Sequence, residues 1–170
     1  LLTSGVGSFQ PRKLTVPGAK EYEGKNLYYK VKDLNDFQNS NVLVLGGGDS
    51  ALDWSLMLEN IASKVTLCHR REQFTAHEKS VQQLLDSKVH VKTSYAVKEL
   101  VGDGEHIQEV VVVSKDKVEE RIPVDHVLVN YGNVASLGPL KSWGLEMEKN
   151  SVVVNEKMET DRKSTRLNSS

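Results

Sequence analysis

A single cysteine, Cys68, is present among the 170 residues of this chain, so an internal disulfide and a CxxC redox pair are both excluded. No apolar run approaches the roughly 20 residues that a membrane-spanning helix needs. The first residues do not have the charged start and apolar stretch of a secretory signal. We therefore expect a cytoplasmic protein in a reducing compartment, with no membrane partner and with Cys68 as a buried core residue.

Charge of one sign is not in excess either. The formal net charge is −1, from 22 basic and 23 acidic residues, which gives no general attraction for nucleic acid. Four of the histidines, His77, His90, His106 and His126, do not have the spacing of metal ligands, so we predict no metal site. The length is that of about one ordinary domain.

Both ends of the chain differ from its middle. The sequence starts at Leu1 without a methionine, and its last ten residues, DRKSTRLNSS, are polar and aperiodic. A common short-read sequencing adapter, when translated, resembles this decapeptide at every position. We therefore expect residues 161–170 to be an artefact, and the chain to be a fragment of a longer protein.

Hydrophobic patterning predicts an α/β fold. The apolar run at residues 41–45 is typical of a parallel strand covered on both faces. A helix with an apolar stripe follows at 49–62, and a second strand at 64–69, which together make one β-α-β unit. The remaining predictions are a short helix at 32–37, a helix at 78–87, and strands at 89–93, 96–101, 108–114, 118–124, 125–130 and 151–155. The three strands between 96 and 124 predict an antiparallel meander that replaces one helical crossover.

The turn after the first of these strands reads GGGDSA and fits G-x-G-x-x-A, a form of the dinucleotide-binding turn. In this pattern Gly46 permits the tight turn, Gly48 lets backbone approach a pyrophosphate, and the small Ala51 lets the helix pack close to the strand. The N-terminus of the helix adds free N–H groups and a positive dipole end. We predict nucleotide binding here, with a purely structural turn as the alternative. The predicted cofactor-binding residues of the turn are Gly46, Gly47, Gly48, Asp49, Ser50 and Ala51.

Two polar residues of this turn have separate explanations. Asp49 is predicted to be the N-cap of the helix, because capping by itself accounts for an acidic residue at that place. Ser50 is predicted to donate its hydroxyl to a phosphate.

A basic run, His69-Arg70-Arg71, ends the second strand. His69 comes 23 residues after Gly46, close to the roughly 20 expected for the residue that contacts the adenosine ribose. NAD-binding proteins have an acidic residue there, whereas two guanidiniums suit a dianionic 2′-phosphate, and the imidazole adds a third donor. The run therefore predicts NADP(H) as the cofactor, with a solvated surface turn as the alternative.

With these motifs in this order, the chain resembles the NADPH domain of thioredoxin-reductase-like flavoproteins, which have two dinucleotide-binding domains. The resemblance covers residues 1–160 and rests on GGGDSALDWSLML, SKVTLCHRREQF and DHVLVNYG. Thioredoxin reductases have a CxxC shortly before the glycine turn, where this chain has NLYYKVKDLNDFQNSN. Without that dithiol, the chain is most similar to the ferredoxin–NADP reductases of thioredoxin-reductase type.

The resemblance implies an FAD-dependent enzyme in which NADPH and FAD exchange a hydride and FAD exchanges electrons with ferredoxin or flavodoxin. It implies a homodimer for the whole protein and no catalytic residue within this chain. Two alternatives remain, a thioredoxin-disulfide reductase-type enzyme and a non-catalytic NADP(H)-binding module. The isolated fragment is expected to bind NADP(H) at best and to be inactive.

The resemblance also implies a domain order. A Rossmann-like three-layer NADPH-binding domain at residues 21–135, with the meander as a crossover, is flanked by partial pieces of an FAD-binding domain at 1–20 and 136–160. Gly5 and Gly7 would lie near FAD, and Gly132 near the nucleotide and the return hinge. The family often has arginine after the phenylalanine of HRRxxF, but this chain has Thr75, so we expect one phosphate contact to be lost.

Overall fold

The structure is a computed structural model that describes residues 8–136, 143–148, 151–157 and 159–160. Most of them form one compact unit, Pro11–Gly132, and the described residues before and after it belong to a second unit. The first unit starts earlier than the predicted NADPH-binding domain, whose boundaries at 21 and 135 stay predictions. Within the described ranges, no helix has both the length and the apolar character that crossing a membrane requires.

The described elements alternate between helices and strands in the first half of the chain and are mostly strands in the second. The helices are α1 Ala19–Tyr22, α2 Asp49–Leu58 and α3 Glu78–Leu85, with a short 3₁₀ helix at Leu34–Phe37. Strand β1, Ser8–Pro11, has only Pro11 inside the first unit. The strands that lie wholly in this unit are β2 Leu27–Tyr28, β3 Asn41–Gly46, β4 Lys64–His69, β5 His90–Thr93, β6 Tyr95–Gly102, β7 Ile107–Ser114, β8 Glu119–Pro123 and β9 His126–Asn130. The later strands are β10 Asn133–Ser136, β11 Met147–Glu148 and β12 Ser151–Val152.

A five-stranded parallel sheet forms the centre of the first unit, in the order β2-β9-β3-β4-β5. The registers place Leu45 beside Cys68 on one neighbour and Gly46 beside Asn130 on the other. The carboxyl ends of β3, β4 and β9 therefore meet at one edge. In open α/β sheets this edge is where ligands bind.

Side chains of β3 point alternately to two separate cores. Val42 and Val44 pack with Leu52 and Leu58 of α2, and with Leu84 of α3, on one face. On the other face, Leu43 and Leu45 pack with apolar residues of the meander, which is the three-stranded antiparallel sheet β6-β7-β8. The unit thus has three layers, helices, parallel sheet and meander, and the meander connects β5 to β9 as predicted.

Asn26 joins the sheet to the meander at a buried position. Its Nδ2 donates to the carbonyls of Ile107 and Asp125, both at 2.9 Å, and its Oδ1 accepts from the N–H of Ile107 at 3.0 Å. Asn26 is 2% exposed, and its two bonds to Ile107 are buried, whereas the bond to Asp125 is part-buried. This asparagine satisfies backbone groups at the start of β7 and just before β9.

Several predicted boundaries were wrong. Helix α2 ends at Leu58 rather than at residue 62, because the N–H groups of Ile61 and Ala62 both donate to the carbonyl of Leu58 in a turn. The strand predicted at 151–155 is shorter, Ser151–Val152, and pairs with β11. Five short elements were not predicted: β1, α1, β2, β10 and β11. None of the five has more than four residues, too few for a hydrophobic period to be seen.

Candidate functional site

The glycine turn leaves the sheet at Gly46, in the tight geometry that the pattern predicts. A Cβ at Gly46 would lie 2.5 Å from the carbonyl oxygen of Asn130 and 2.8 Å from the Cβ of Ala51. Neither neighbour can yield easily, since one is backbone and the other is fixed in α2. The small residues at both positions therefore let the helix approach β3 and β9 closely.

The next two glycines face different surroundings. A Cβ at Gly47 would lie 2.5 Å from Cγ of His69 and closer still to Nδ1 and Cε1 of the same ring. At Gly48 the nearest atom would be Oγ1 of Thr75 at 3.7 Å, an ordinary contact. Gly47 is thus enclosed by an imidazole, whereas Gly48 has open space where a side chain would be.

Helix α2 begins without a side-chain cap. Its N-cap is Gly48, and Asp49 is the first helical residue, so the predicted N-cap role of Asp49 was wrong. The Asp49 carboxylate instead accepts from the N–H of His77 at 2.8 Å. Since no side chain takes up the first N–H groups of α2, they stay available to an anion. Ser50 is exposed in the same turn.

The three members of the basic run do not share one environment. His69 is 8% exposed, its ring stacks on Phe74 with 5.4 Å between centroids, and its Nε2 lies 3.1 Å from the carbonyl oxygen of Gln73. Because a carbonyl only accepts, Nε2 carries the proton and is already used. Burial lowers the pKa of His69, and the charges of Arg70 and Arg71 lower it further against the hydrogen bond to Gln73.

Arg70 and Arg71 are exposed at the end of β4. In the described part of the chain, neither guanidinium forms an ion pair with a carboxylate. Two positive charges without acidic partners, next to a glycine turn, are available to an anionic ligand.

The glycine turn and the basic run line one cleft of about 650 Å³, a size typical of ligand sites. The cleft lies within the Pro11–Gly132 unit. Its lining comes from residues 12–16, 46–51, 69–71, 75, 96–97 and 130–132. Every predicted residue of the glycine turn and of the basic run is included, and so is Gly132.

Three consecutive residues, from the last residue of β9 onward, form a wall of this cleft, and the first two were not predicted. Nδ2 of Asn130 is buried and has no hydrogen-bond partner among the described residues. Burial raises the pKa of Tyr131 to about 12, so its hydroxyl stays protonated. Gly132 has a left-handed φ of 83°, which favours glycine. A signal for Asn130 was present, since it ends a parallel strand at the ligand-binding edge.

The cysteine has no reactive role in this environment. Cys68 is 3% exposed, and its Sγ donates to the carbonyl of Tyr95 at 3.6 Å. Burial raises the pKa of its thiol to about 12, so the thiolate that disulfide chemistry needs is not formed. No group of His, Cys, Asp and Glu side chains in the described ranges is arranged to hold a metal ion.

Comparison with known proteins agrees with this geometry. The family model of the pyridine nucleotide-disulphide oxidoreductases matches residues 2–164. The chain belongs to this family. Among curated relatives, it is 57% identical over 162 residues to the ferredoxin–NADP reductase of Halalkalibacterium halodurans and 56% identical to that of Geobacillus thermodenitrificans, with 95% of this chain and 49% of each relative covered.

Among solved structures, the chain is similar to the thioredoxin reductase of Lactococcus lactis, with a TM-score of 0.79 and 28% identity over 92% of this chain and 52% of that one. The pyridine nucleotide-disulphide oxidoreductase family therefore accounts for both the fold and the order of motifs. The chain spans about half the length of the curated relatives that it matches. Gly5, Gly7 and the predicted adapter residues 161–170 lie outside the described residues.

Proposed function

We propose that this chain is the NADP(H)-binding part of a flavoprotein oxidoreductase, a ferredoxin–NADP reductase. One observation carries the proposal: the glycine turn and two arginines that form no ion pair with the described carboxylates line the same cleft, at the carboxyl ends of parallel strands. The pyrophosphate would lie on the N–H groups of Gly48, Asp49 and Ser50. When bound, NADPH supplies a hydride for transfer to FAD.

The residues present fit such a ligand. In the described part of the chain, the nearest atom to a Cβ at Gly48, apart from its chain neighbours, would be the hydroxyl oxygen of Thr75 at 3.7 Å, so the backbone there is open to a phosphate. The buried Nδ2 of Asn130, which has no partner among the described residues, is a donor that a nucleotide oxygen would satisfy. Both groups line the cleft.

The 2′-phosphate of NADP would be held by Arg70 and Arg71. Both are exposed. His69 is buried, and its Nε2–H already donates to the carbonyl of Gln73. We therefore assign the phosphate contacts to the two guanidiniums and a packing role to His69. This assignment gives the 2′-phosphate two donor side chains, whereas the sequence predicts three.

Calorimetric titration with NADPH and NADH tests the proposal. The unsubstituted protein should bind NADPH more tightly, and Arg70→Ala/Arg71→Ala should weaken NADPH about tenfold to a hundredfold while sparing NADH, as expected for charged hydrogen bonds. A matched control is Arg121→Ala, which removes an exposed guanidinium of the meander that pairs with Glu109 at 2.9 Å. Equal affinities for the two nucleotides in the unsubstituted protein would refute NADP selectivity.

Ferredoxin or flavodoxin is our proposal for the electron partner of the whole protein. The names of the curated relatives support it, as does the thiol of Cys68, whose pKa of about 12 leaves no group for disulfide reduction in this chain. The whole protein would hold FAD, form a homodimer and be cytoplasmic. NADPH-dependent reduction of ferredoxin, compared with reduction of thioredoxin, tests the partner, and sedimentation of the same protein tests the dimer.

A further inference from the structure

The loop between β4 and α3 is tied to the glycine turn. We call residues 72–77 the strap. The N–H of Thr75 donates to the carbonyl of Gly47 at 2.7 Å, and Oγ1 of Thr75 donates to the same oxygen at 3.1 Å. The N–H of His77 donates to the Asp49 carboxylate at 2.8 Å. Each bond joins residues that are 28 positions apart, so the strap holds the turn from outside its own segment.

The carbonyl of Gly47 accepts two of these three hydrogen bonds. A carbonyl oxygen has a partial negative charge, which opposes an anion in the same turn. The two Thr75 donors occupy this oxygen and offset its charge. Because a trans peptide is planar, the carbonyl of Gly47 and the N–H of Gly48 point in opposite directions. Holding the oxygen toward Thr75 therefore also fixes the direction of the Gly48 N–H.

The turn needs such an external restraint. Gly47 and Gly48 have no Cβ, so their shared peptide plane can rotate at little steric cost. On the other side, the His69 ring packs against Gly47, and this ring is held by Phe74 and Gln73 at the start of the strap. The peptide is thus fixed between a ring and two hydrogen-bond donors.

We propose that Thr75 is a positioning residue of the nucleotide site, which orients the Gly47–Gly48 peptide so that its N–H is ready for the pyrophosphate. The inference rests on the proposed function for its ligand, but not for its geometry. It gives Thr75 a different role from the lost phosphate contact that the family resemblance implies. The pyrophosphate is common to NADPH and NADH, so the effect should be the same for both.

Thr75→Val and Thr75→Ser test this role, because valine keeps the shape and the backbone N–H but removes the hydroxyl. Titration of the protein should show that Thr75→Val weakens NADPH and NADH by the same factor, roughly threefold to tenfold for one neutral hydrogen bond. The ratio of the two affinities should not change. Thr75→Ser, which restores the hydroxyl, should bind both nucleotides as the unsubstituted protein does.

The Gly48 amide gives a second readout that needs no nucleotide. In ¹⁵N-labelled protein, Thr75→Val should shift or broaden the Gly48 amide signal, and Thr75→Ser should leave it in place. An unchanged Gly48 signal in Thr75→Val, or a changed ratio of NADPH to NADH affinity, overturns the inference. If the unsubstituted protein binds neither nucleotide, the proposed function fails, and the Gly48 signal still decides the role of Thr75.

Discussion

Gly47→Ala should lower stability and Gly48→Ala should lower nucleotide affinity, although they are neighbouring and chemically identical changes. Neither glycine has a positive φ, so alanine meets no backbone strain at either place. The difference is steric. A methyl group at Gly47 overlaps a buried ring, and one at Gly48 enters the cleft.

The cost at Gly47 follows from the distances. A Cβ there would lie 2.5 Å from Cγ of His69, and ordinary contact begins at 3.4 Å, so the two groups must separate by at least 0.9 Å (3.4 − 2.5). The ring is 8% exposed and stacked on Phe74, so it has little room to move. Overpacking of this kind costs about 1–3 kcal/mol. A chain of this size should then melt about 2–4 °C lower for each kcal/mol.

Gly48→Ala should change stability little. Alanine reduces the freedom of the unfolded chain, which typically stabilises by about 0.4–1 kcal/mol, but Gly48 is the N-cap of α2, where glycine is preferred over alanine. Nucleotide affinity should fall instead, since the methyl group occupies the space in which a phosphate would approach the backbone.

Urea unfolding and NADPH titration of both variants separate the two effects. A third variant, Gly47→Ala/His69→Ala, should recover part of the stability lost by its two single substitutions, because the new methyl group fills space left by the ring. Gly47→Ala with unchanged stability would refute the close packing of His69. Gly48→Ala with unchanged NADPH affinity would refute phosphate binding at this turn.

Three further predictions concern stability alone. Asn26→Ala leaves two buried backbone groups of Ile107 and the part-buried carbonyl of Asp125 without their partner and should lower the free energy of unfolding in urea by about 2–4 kcal/mol, more than most single substitutions. Lys92→Met breaks a partly exposed ion pair with Glu120 at 2.7 Å and should cost less than about 1 kcal/mol, with the difference vanishing in high salt. At alkaline pH, the folded thiol of Cys68 has a pKa of about 12 against 9.0 for the free group, so stability is full below pH 9 and falls as pH rises from there toward 12. Cys68→Ala should make pH-dependent melting less steep in that window, and an unchanged slope would contradict the burial of the thiol.

The sequence contained enough to predict the elements with a long apolar pattern. Strands β3, β4 and β9 are mostly apolar runs, and the meander strands are short β segments separated by the charged turns GDGE and KDK, so their positions follow from the local sequence. The glycine turn could be predicted because its strand and helix are adjacent in the chain. The two-residue strand β2 could not be predicted in this way. It is stabilised by contacts with residues distant in the chain, such as the hydrogen bonds of the preceding Asn26 to Ile107 and Asp125.

The candidate site divides in the same way. Arg70 and Arg71 were predicted from their spacing to the turn, and both line the cleft. Thr75 was noticed only as a departure from a family pattern, because nothing in its neighbours shows that it meets Gly47, 28 residues away. Asn130 was not predicted, although its place at the end of β9 was, because a single amide side chain belongs to neither the glycine turn nor the basic run.

Gly47 shows that a position which a motif leaves variable can still be sterically restricted in the structure. In G-x-G-x-x-A the second residue is free, yet among the glycines of the Pro11–Gly132 unit Gly47 is the one whose Cβ would come closest to another side chain. The basic run predicts that His69 donates to the 2′-phosphate. In the structure, its ring instead packs against Gly47, and its Nε2–H donates to the carbonyl of Gln73. The two positions therefore depend on each other: an imidazole at 69 requires glycine at 47, and a larger residue at 47 requires a smaller one at 69. We therefore propose that Arg70 and Arg71 give selectivity for the 2′-phosphate, and that His69 and the strap fix the conformation of the glycine turn.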